Sequence, residues 1–243
     1  MNLLVDIGNS RLKWAIEHDG HIGEIVSVDY RCPEFLDDLR LRWRDMVQPK
    51  KMAIASVSAK PVLSGIIDLS RTLWPGLEAL IPQASDYAFG VTNAYEHPEK
   101  LGVDRWLAMI GAHRHYAGAV CVADCGTAIT LDVLQADGRH LGGLIGPGLI
   151  MMKQSLASNT AGLPFNTEPY PMQLAAETNV AIANGVLLAA AGLIENAMRR
   201  FAANHQLILT GGDAEIVAES LAMSLIVDKE LVVKGLAAVC SGE

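Results

Sequence analysis

Two segments of the chain follow the same plan, in which a strand, an Asp-x-Gly turn, a second strand and an Asp-Gly turn come in succession. In the first segment an apolar run reaches Asp6 and Gly8, and a second apolar run ends before Asp19. In the second segment Asp124 and Asp137 occupy the matching places, each 118 residues after its counterpart. One Asp-x-Gly turn carries little information, but a repeated one in matching context indicates an internal duplication. The sequence therefore predicts two copies of one structural unit.

Helical patterns separate and follow these copies. Apolar residues recur at helical spacing over residues 103–116 and 173–201. Strands that alternate with helices are typical of α/β layers, and no low-complexity linker divides the chain. We predict an α/β fold of two similar lobes that face each other across a cleft. The predicted N-terminal lobe covers 1–117, and the C-terminal lobe covers 118–243.

The composition supports a large aliphatic core. Of 243 residues, 51% are hydrophobic and only 5% aromatic, so the core should be rich in aliphatic residues and alanine. The formal net charge is −8 and no dense Lys/Arg run occurs. This disfavours general nucleic-acid binding, which needs a basic face. A small anionic ligand remains compatible, because backbone N–H groups can bind phosphate locally.

Cysteine spacing and hydropathy predict a cytoplasmic protein without a membrane segment. The cysteines show neither paired zinc spacing nor a dense disulfide pattern, and we expect buried free thiols at Cys32, Cys121, Cys125 and Cys240. The N-terminus lacks a basic region and carries Asp6 in its apolar run, unlike a signal peptide. The stretch 180–194 contains Asn184 and ends at a glutamate, so it is expected to be too short and too polar to span a membrane.

The repeated turns carry the groups that phosphate chemistry needs. If the two turns converge on one ligand, the backbone N–H groups of 8–10 and 126–127 could cradle phosphate oxygens. Asp6 and Asp124 could hold Mg²⁺ directly or through water. The alternative is a pair of ordinary Asx turns in hairpins. The duplication favours the phosphate site, to which three further donors belong: Lys13, Ser10 and Thr127.

A second candidate site lies in "EKLGVDRWLAMIGA" (99–112). Asp104 stands near a helix start, where a carboxylate normally caps N–H groups. Arg105 is unexpected in a first turn, so the pair could instead serve a substrate, with Asp104 as base and Arg105 as anion clamp. In "LTGGDA" (209–214), two glycines between strand and helix fit either a nucleotide base or a plain turn. Neither a P-loop nor G-x-G-x-x-G is present in the sequence.

Taken together, the motifs resemble the superfamily of acetate kinase, sugar kinases, heat-shock chaperone ATPases and actin, whose lobes are ribonuclease H-like. Within it the chain is more similar to type III pantothenate kinases, a family that includes Bvg accessory factors. One departure is Ser10, where that family usually has Thr. The motifs occur in family order over nearly the whole chain: "DIGNSRLKW" (6–14), "NAYEHPEKLGVDRW" (93–106), "DCGTAITLD" (124–132), "GGLIGPG" (142–148), "ETNVAIANG" (177–185) and "TGGDA" (210–214).

The resemblance implies specific roles for these positions. It implies ATP binding by Asp6, Ile7, Gly8, Asn9, Ser10, Arg11, Leu12, Lys13 and Thr127. It implies pantothenate binding by Tyr95, Gly102, Val103, Asp104, Arg105 and Thr178. Asp104 would be the proton acceptor, Asp6 would hold Mg²⁺, and Asp124 would bind a monovalent cation, K⁺ or NH₄⁺. The resemblance also implies a homodimer in which the neighbouring subunit partly completes the pantothenate pocket.

The implied reaction is in-line phosphoryl transfer from MgATP to the primary hydroxyl of pantothenate, the first step of coenzyme A biosynthesis. Two other hypotheses stay open at this point. One is a kinase or phosphatase of the same superfamily that acts on a sugar, acyl group or polyphosphate. The other is an ATP-binding regulatory protein without turnover. The segments "GVDRW" and "ETNVAIANG" argue against the first, and the intact acidic residues argue against the second.

Overall fold

The computed structural model describes residues 1–57 and 60–242, which form two compact units. The first unit contains residues 1–115 and the C-terminal segment from Glu230, and the second contains Tyr116–Lys229. The strands, in chain order, are β1 (Asn2–Ile7), β2 (Leu12–His18), β3 (His21–Ile22), β4 (Val26–Val28), β5 (Lys51–Ser56), β6 (Ala79–Leu80), β7 (Tyr87–Ala88), β8 (Val91–Thr92), β9 (Val120–Cys125), β10 (Ala128–Leu134), β11 (His140–Pro147), β12 (Gln206–Thr210) and β13 (Leu225–Val227). The helices are α1 (Phe35–Trp43), α2 (Lys60–Leu73), α3 (Val103–His115), α4 (Leu149–Asn159), α5 (Thr178–Phe201), α6 (Ala214–Ala218) and α7 (Leu231–Ser241), and a 3₁₀ turn covers Pro98–Lys100.

The two units contain sheets of the same topology. In the first unit the strand order is β3-β2-β1-β5-β6, with β4 also paired to β2. In the second unit the order is β11-β10-β9-β12-β13. In both sheets the central strand, β1 or β9, forms an antiparallel hairpin with the next strand along the chain. The two strands on its other side, β5 and β6 or β12 and β13, run parallel to it. The duplication predicted from the repeated Asp-x-Gly pattern is therefore present in the fold.

The first sheet is covered by helices on both faces. Alternate residues of β1 and β5, such as Leu3, Val5 and Ile54, join a core with α1 and α2. Residues between them on the strands are also buried, and α3 and α7 contact this part of the sheet. This first core differs from the expected aliphatic one because it contains a tryptophan cluster, whose members are Trp14, Trp43 and Trp74.

The second unit has the aliphatic core that the composition predicts. Side chains of β9, β10 and β12 pack against α5, whose buried stripe includes Val186, Ala190 and Ile194. Cys121 and Cys125 belong to this core as free thiols, as expected, and Cys240 is buried in the first unit. The expectation was wrong for Cys32, which is exposed. It lies in a segment of turns and bends between β4 and α1.

The closing helix α7 belongs to the first unit, unlike in the sequence-based division at 117/118. Two glycines allow its backbone to approach α3 closely. A Cβ on Gly111 would meet the Leu231 carbonyl, and a Cβ on Gly235 would meet the Leu107 carbonyl. The Lys51 ammonium also donates to the Cys240 carbonyl at 2.5 Å. The duplicated strand pattern does not reveal that the C-terminal helix packs on the first sheet. The sequence of α7 does not indicate which of the two sheets it covers.

Helix α5 lies within the stretch 173–201 that the sequence predicts to be helical, and it begins at Thr178. It runs for 24 residues and is, by length and composition, apolar enough to cross a membrane, so the expectation of a stretch too short for a span was wrong about its length. The helix nevertheless has a structural role within the second unit, where its buried stripe packs on the sheet. Asn184 lies in this helix and donates from Nδ2 to the carbonyls of Pro171 and Gln173, both at 2.9 Å.

Candidate active site

The first turn (residues 8–11) closes the β1–β2 hairpin. The Gly8 N–H donates to the Arg11 carbonyl at 3.0 Å, and the Tyr30 hydroxyl donates to the Gly8 carbonyl at 2.7 Å. Asn9 and Arg11 are exposed, and Ser10 is half-buried. The turn therefore presents its polar side chains at the surface while two hydrogen bonds hold its backbone.

Asp6 lies at the second-to-last position of β1, next to the first turn. It is half-buried and stands opposite Lys13 in the antiparallel register with β2. Ile7 and Leu12 pair at the base of the turn and are fully buried, which anchors it to the first core. The residues 6–13 predicted to bind phosphate thus belong to one hairpin, in which Asp6 is paired with Lys13 across the two strands.

The second turn (residues 126–128) closes the β9–β10 hairpin. The Gly126 N–H donates to the Ala128 carbonyl at 3.1 Å. Asp124, again second to last in its strand, stands opposite Thr130 of β10. The exposed Thr127 accepts a hydrogen bond at its carbonyl from the Gly148 N–H at 3.0 Å. The start of α4 is therefore fixed against this turn.

The Gly-Gly turn (residues 210–213) packs directly on the second turn. Gly211 has φ +95°, and a Cβ there would meet the Asp124 carboxylate and the Cys125 carbonyl. Asp213 donates its N–H to the Cys125 carbonyl at 2.9 Å. Glycine is required at 211 for both its backbone angle and the lack of space. Asp124 and the Gly-Gly turn thus form one compact group.

Charged and thiol groups around this turn have shifted pKa values. Burial raises the pKa of the Cys125 thiol to about 12, and the carboxylates of Asp124 and Asp213 add to the shift. Burial also raises the pKa of Asp213, which Lys153 partly offsets. The pKa of Lys153 is lowered by burial, and Asp213 opposes that shift. Cys125 therefore stays a neutral thiol near neutral pH, and Lys153 and Asp213 interact electrostatically.

The start of α3 brings together five of the six residues predicted to bind substrate. Asp104 is the second residue of the helix, and its Oδ1 accepts from the Arg105 N–H at 2.8 Å. Arg105 is 6% exposed and donates from Nη1 to the Tyr95 hydroxyl at 2.9 Å. A Cβ on Gly102 would lie 2.5 Å from Asp104 Oδ1, so a side chain there would displace the carboxylate from its present position. Val103 is the first residue of the helix and is half-buried.

Thr178, the remaining residue predicted to bind substrate, belongs to the second unit. It is exposed at the first position of α5, behind Glu177, whose carboxylate accepts from the Asn179 N–H. Thr178 lines one end of a groove of about 760 Å³ between α4 and α5. The groove is mostly apolar, and Met151, Leu156 and Ile182 contribute to its walls.

The carboxylates fit a hydrated magnesium ion better than a dedicated metal cage. Within residues 1–57 and 60–242, no three His, Cys, Asp or Glu side chains are grouped as metal ligands. Mg²⁺ commonly keeps several waters and takes one or two carboxylates plus the substrate phosphates. Asp6 and Asp124 each supply one hard oxygen donor beside a turn, which suits that mode.

Sequence reasoning missed three features that the structure reveals. Lys153 is buried near the Gly-Gly turn, and its place in the apolar stripe of α4 could have marked it. The hydroxyl of Tyr30 holds the first turn across 22 residues, a contact without a local signal. Asp132 and His140 form a buried pair at 2.9 Å across the β10–β11 hairpin. Alternation places Asp132 on the face of β10 opposite the core residues Leu131 and Val133, so the sequence does not mark it as buried.

Comparison with known proteins places the chain in a family. The family model for type III pantothenate kinase matches residues 2–200. The chain is 37% identical to a type III pantothenate kinase of Nitrosococcus oceani over 254 residues, covering 98% of this chain and 93% of that protein. It is 35% identical to one of Burkholderia cenocepacia over 257 residues, covering 99% and 95%.

Solved structures agree on the fold. A conserved Baf family protein of Campylobacter jejuni superposes with a TM-score of 0.63 at 22% identity, covering 99% of this chain and 98% of the other. A 2-dehydro-3-deoxygalactonokinase-type protein of Sinorhizobium meliloti gives 0.60 at 15% identity, covering 100% and 99%. These likenesses support the duplicated actin-like α/β fold, and the sequence matches support the family. This chain belongs to the type III pantothenate kinase family.

Proposed function

We propose that this chain transfers the γ-phosphoryl group of ATP to the primary hydroxyl of pantothenate, with Asp104 as the proton acceptor. Type III pantothenate kinases phosphorylate pantothenate in coenzyme A biosynthesis, and this chain is a kinase of that family. The product is 4′-phosphopantothenate. The observation that carries the proposal is the group formed by Asp104, the buried Arg105 and Tyr95 at the start of α3.

Asp104 suits the role of base because its environment fixes its position. The Gly102 backbone leaves space for the carboxylate, and the Arg105 N–H holds Oδ1. In-line phosphoryl transfer depends mainly on positioning and on charge stabilisation, with little covalent work for the protein. A carboxylate within reach of the hydroxyl can accept its proton as the bond to phosphorus forms.

Arg105 and Tyr95 form the proposed pantothenate clamp. Arg105 presents a planar guanidinium with several donors, which suits a carboxylate such as that of pantothenate. The Tyr95 hydroxyl orients it, and the guanidinium carbon lies 5.8 Å from the centre of the Tyr95 ring. We assign Gly102, Val103 and Thr178 to the same substrate.

ATP is proposed to bind at the two turns. As a kinase, the chain uses ATP with a divalent metal ion, and we propose Mg²⁺, which would neutralise developing charge on the phosphates. Asp6 would hold the ion directly or through water. Backbone N–H groups, hydroxyls and cations would contact the phosphates, and these belong to residues 6–13 and to Thr127.

Asp124 is proposed to bind a monovalent cation, K⁺ or NH₄⁺, near the nucleotide. Its carboxylate lies against the Gly-Gly turn, where the Cys125 carbonyl is also close. Titration of K⁺ against activity in wild type and Asp124→Ala tests this role. Activation by K⁺ that disappears in the variant supports it, and an unchanged K⁺ response contradicts it.

We further propose a cytoplasmic homodimer. The apolar groove between α4 and α5 lies beside Thr178, and exposed apolar side chains including Ile150, Met151 and Leu188 lie on the same two helices. Contiguous apolar surface of this kind commonly marks a protein interface. Light scattering on the purified chain should give twice the mass of one chain.

Product identification tests the proposed reaction. The purified chain is incubated with MgATP in K⁺ buffer, with pantothenate, with sugars, with acetate or with polyphosphate. We expect ³¹P NMR and mass spectrometry to detect 4′-phosphopantothenate with pantothenate alone. Phosphorylation of another acceptor would support a different superfamily kinase. ATP binding without any product would support a regulatory binding protein.

A further inference from the structure

We propose that Lys153 binds phosphate oxygens of the nucleotide at the second turn and supplies the positive charge that this turn lacks. The inference rests on the proposed function, because it assigns Lys153 to the ATP site of that reaction. It adds a binding residue that lies outside every motif quoted from the sequence.

The two hairpins differ in local charge. The first hairpin carries Arg11 and Lys13 directly after its glycine, whereas the second has no Lys or Arg from residue 124 to residue 134. A phosphate group at the second turn would therefore meet no cation from its own hairpin. The second turn would need a cation from another part of its unit.

Lys153 differs from the other basic residues of the second unit because it is buried. The sequence 116–229 contains five Lys or Arg residues. In the described structure of this unit, Lys153 is 8% exposed, and the others are exposed: Arg139, Arg199, Arg200 and Lys229. Lysine is rarely buried unless it has a partner, because desolvation of the ammonium is unfavourable.

The position of Lys153 on α4 directs it to the interior of the unit. It lies one turn after Leu149, which belongs to the second core, and three residues before Leu156, which packs against that core. The helix begins at Gly148, whose N–H donates to Thr127 and whose Cβ position is occupied by Gly126 and Thr127 backbone. The contact of Gly148 fixes the start of α4 against the second turn, and Lys153 lies little more than one helical turn further along this helix.

Asp213 is the acidic group that acts on the Lys153 ammonium. It belongs to the Gly-Gly turn, whose backbone is bonded to Cys125 beside Asp124. Asp213 is itself only half-buried, and burial still lowers the pKa of Lys153 although this carboxylate opposes the shift. An anionic ligand at the turn would add further negative charge, and phosphate oxygens accept strong hydrogen bonds from lysine.

The neighbouring groups favour a nucleotide phosphate over the carboxylate of pantothenate. The residues assigned to phosphate and to its cation, Thr127 and Asp124, belong to the same compact group. The proposed pantothenate clamp at Tyr95 and Arg105 belongs to the first unit. Separate titrations of the two substrates distinguish these ligands.

The test compares Lys153→Met with Lys229→Met. Methionine keeps the length and apolar character of the lysine stem and removes the charge. Lys229 is an exposed lysine of the same unit that pairs with Glu215 at 2.8 Å, so its replacement serves as the matched control. Isothermal titration with ATP and with ADP measures the dissociation constants directly, and steady-state kinetics measure both KM values.

We expect Lys153→Met to weaken ATP binding by about tenfold or more, as for the loss of a hydrogen bond to a charged group. The KM for pantothenate should stay within about twofold, and Lys229→Met should bind ATP like wild type. Lys153→Arg should retain most of the affinity, because it keeps the charge.

Three results would overturn the inference. Unchanged ATP affinity in Lys153→Met, with an altered Tm, would make Lys153 a structural residue. A raised KM for pantothenate alone would assign it to the other substrate. Should Lys153→Met not fold, a Lys153→Arg variant that folds but binds ATP no better than a tenth as well would also contradict the proposal. Wild-type turnover with pantothenate, measured on the same preparation, separates these outcomes from a failure of the proposed function.

Discussion

The two hairpins at the start of the two units have the same topology but different turns. In the first, Ile7 pairs with Leu12, and four residues form the connection. In the second, Cys125 pairs with Ile129, and three residues form it. Asp6 consequently faces Lys13 across its hairpin, whereas Asp124 faces Thr130.

The surroundings of the turns differ as well. The first turn is held by a distant hydroxyl, that of Tyr30, and leaves its own side chains exposed. The second turn is enclosed by the start of α4 and by the Gly-Gly turn. The comparison teaches that both copies of a duplicated hairpin can keep the aspartate before the turn while the surroundings of the turn diverge. The first copy carries basic residues in its own hairpin, whereas neighbouring elements pack on the turn of the second.

The two units also differ in that only the first contains the proposed proton acceptor, Asp104. Its replacement should have the largest effect. Asp104→Asn should lower kcat by about 10²–10⁴, because loss of a general base typically has this effect. The amide keeps the shape of the side chain, so thermal stability should change little. Glu99→Gln, in the exposed 3₁₀ turn nearby, is the matched control. Near-full kcat in Asp104→Asn would remove the residue from the mechanism.

The next largest effect concerns the close packing of the Gly-Gly turn on the second turn. Gly211→Ala should lower the free energy of unfolding by about 2–4 kcal/mol, because a positive φ and a blocked Cβ position act together. Gly212→Ala should stay within about 0.5 kcal/mol, since no atom lies within 4 Å of its Cβ position. Urea unfolding of both variants measures the difference. Equal stabilities would show that the second turn tolerates a side chain as well as an open turn does.

The smallest effect concerns the proposed pantothenate clamp of the first unit. Tyr95→Phe removes the hydroxyl that accepts from the buried Arg105. The KM for pantothenate should rise by roughly three- to tenfold, as for the loss of one hydrogen bond, while the ATP affinity stays unchanged. Tyr87→Phe, at a tyrosine that is 65% exposed, provides the control. A change in ATP affinity instead would move Tyr95 to the nucleotide site.

The sequence allowed prediction of the fold class and of the duplication, because the strands that carry the turns are short, apolar and bounded by Asp and Gly. Equal spacing of the aspartates did not reveal that the turns differ in length. The shorter connection after Cys125 is compensated by a longer one after Leu134, where five residues reach His140, against two between His18 and His21. The spacing between two aspartates measures one turn, one strand and part of the next loop together, not the length of each.

Long-range contacts were beyond prediction for a different reason. The docking of α7 on α3 depends on Gly111 and Gly235, and a glycine in a helical pattern does not name the helix that it contacts. The tryptophan cluster in the first core also joins residues far apart in sequence. At the candidate site, Asp104 and Arg105 could be identified because a cation is unusual in a first helical turn. Lys153 could be marked only as a buried lysine, from its place in the apolar stripe of α4, since its significance depends on what α4 packs against.

The central claim is that both copies of the hairpin serve one phosphoryl transfer to pantothenate. The most direct test is the initial rate of ADP release with and without pantothenate, in wild type, Asp6→Asn and Asp124→Asn. The account predicts release that depends on pantothenate and falls by about 10²-fold in each variant, as for removal of one group that stabilises the transition state. Release that ignores pantothenate, or full activity in either variant, would contradict it.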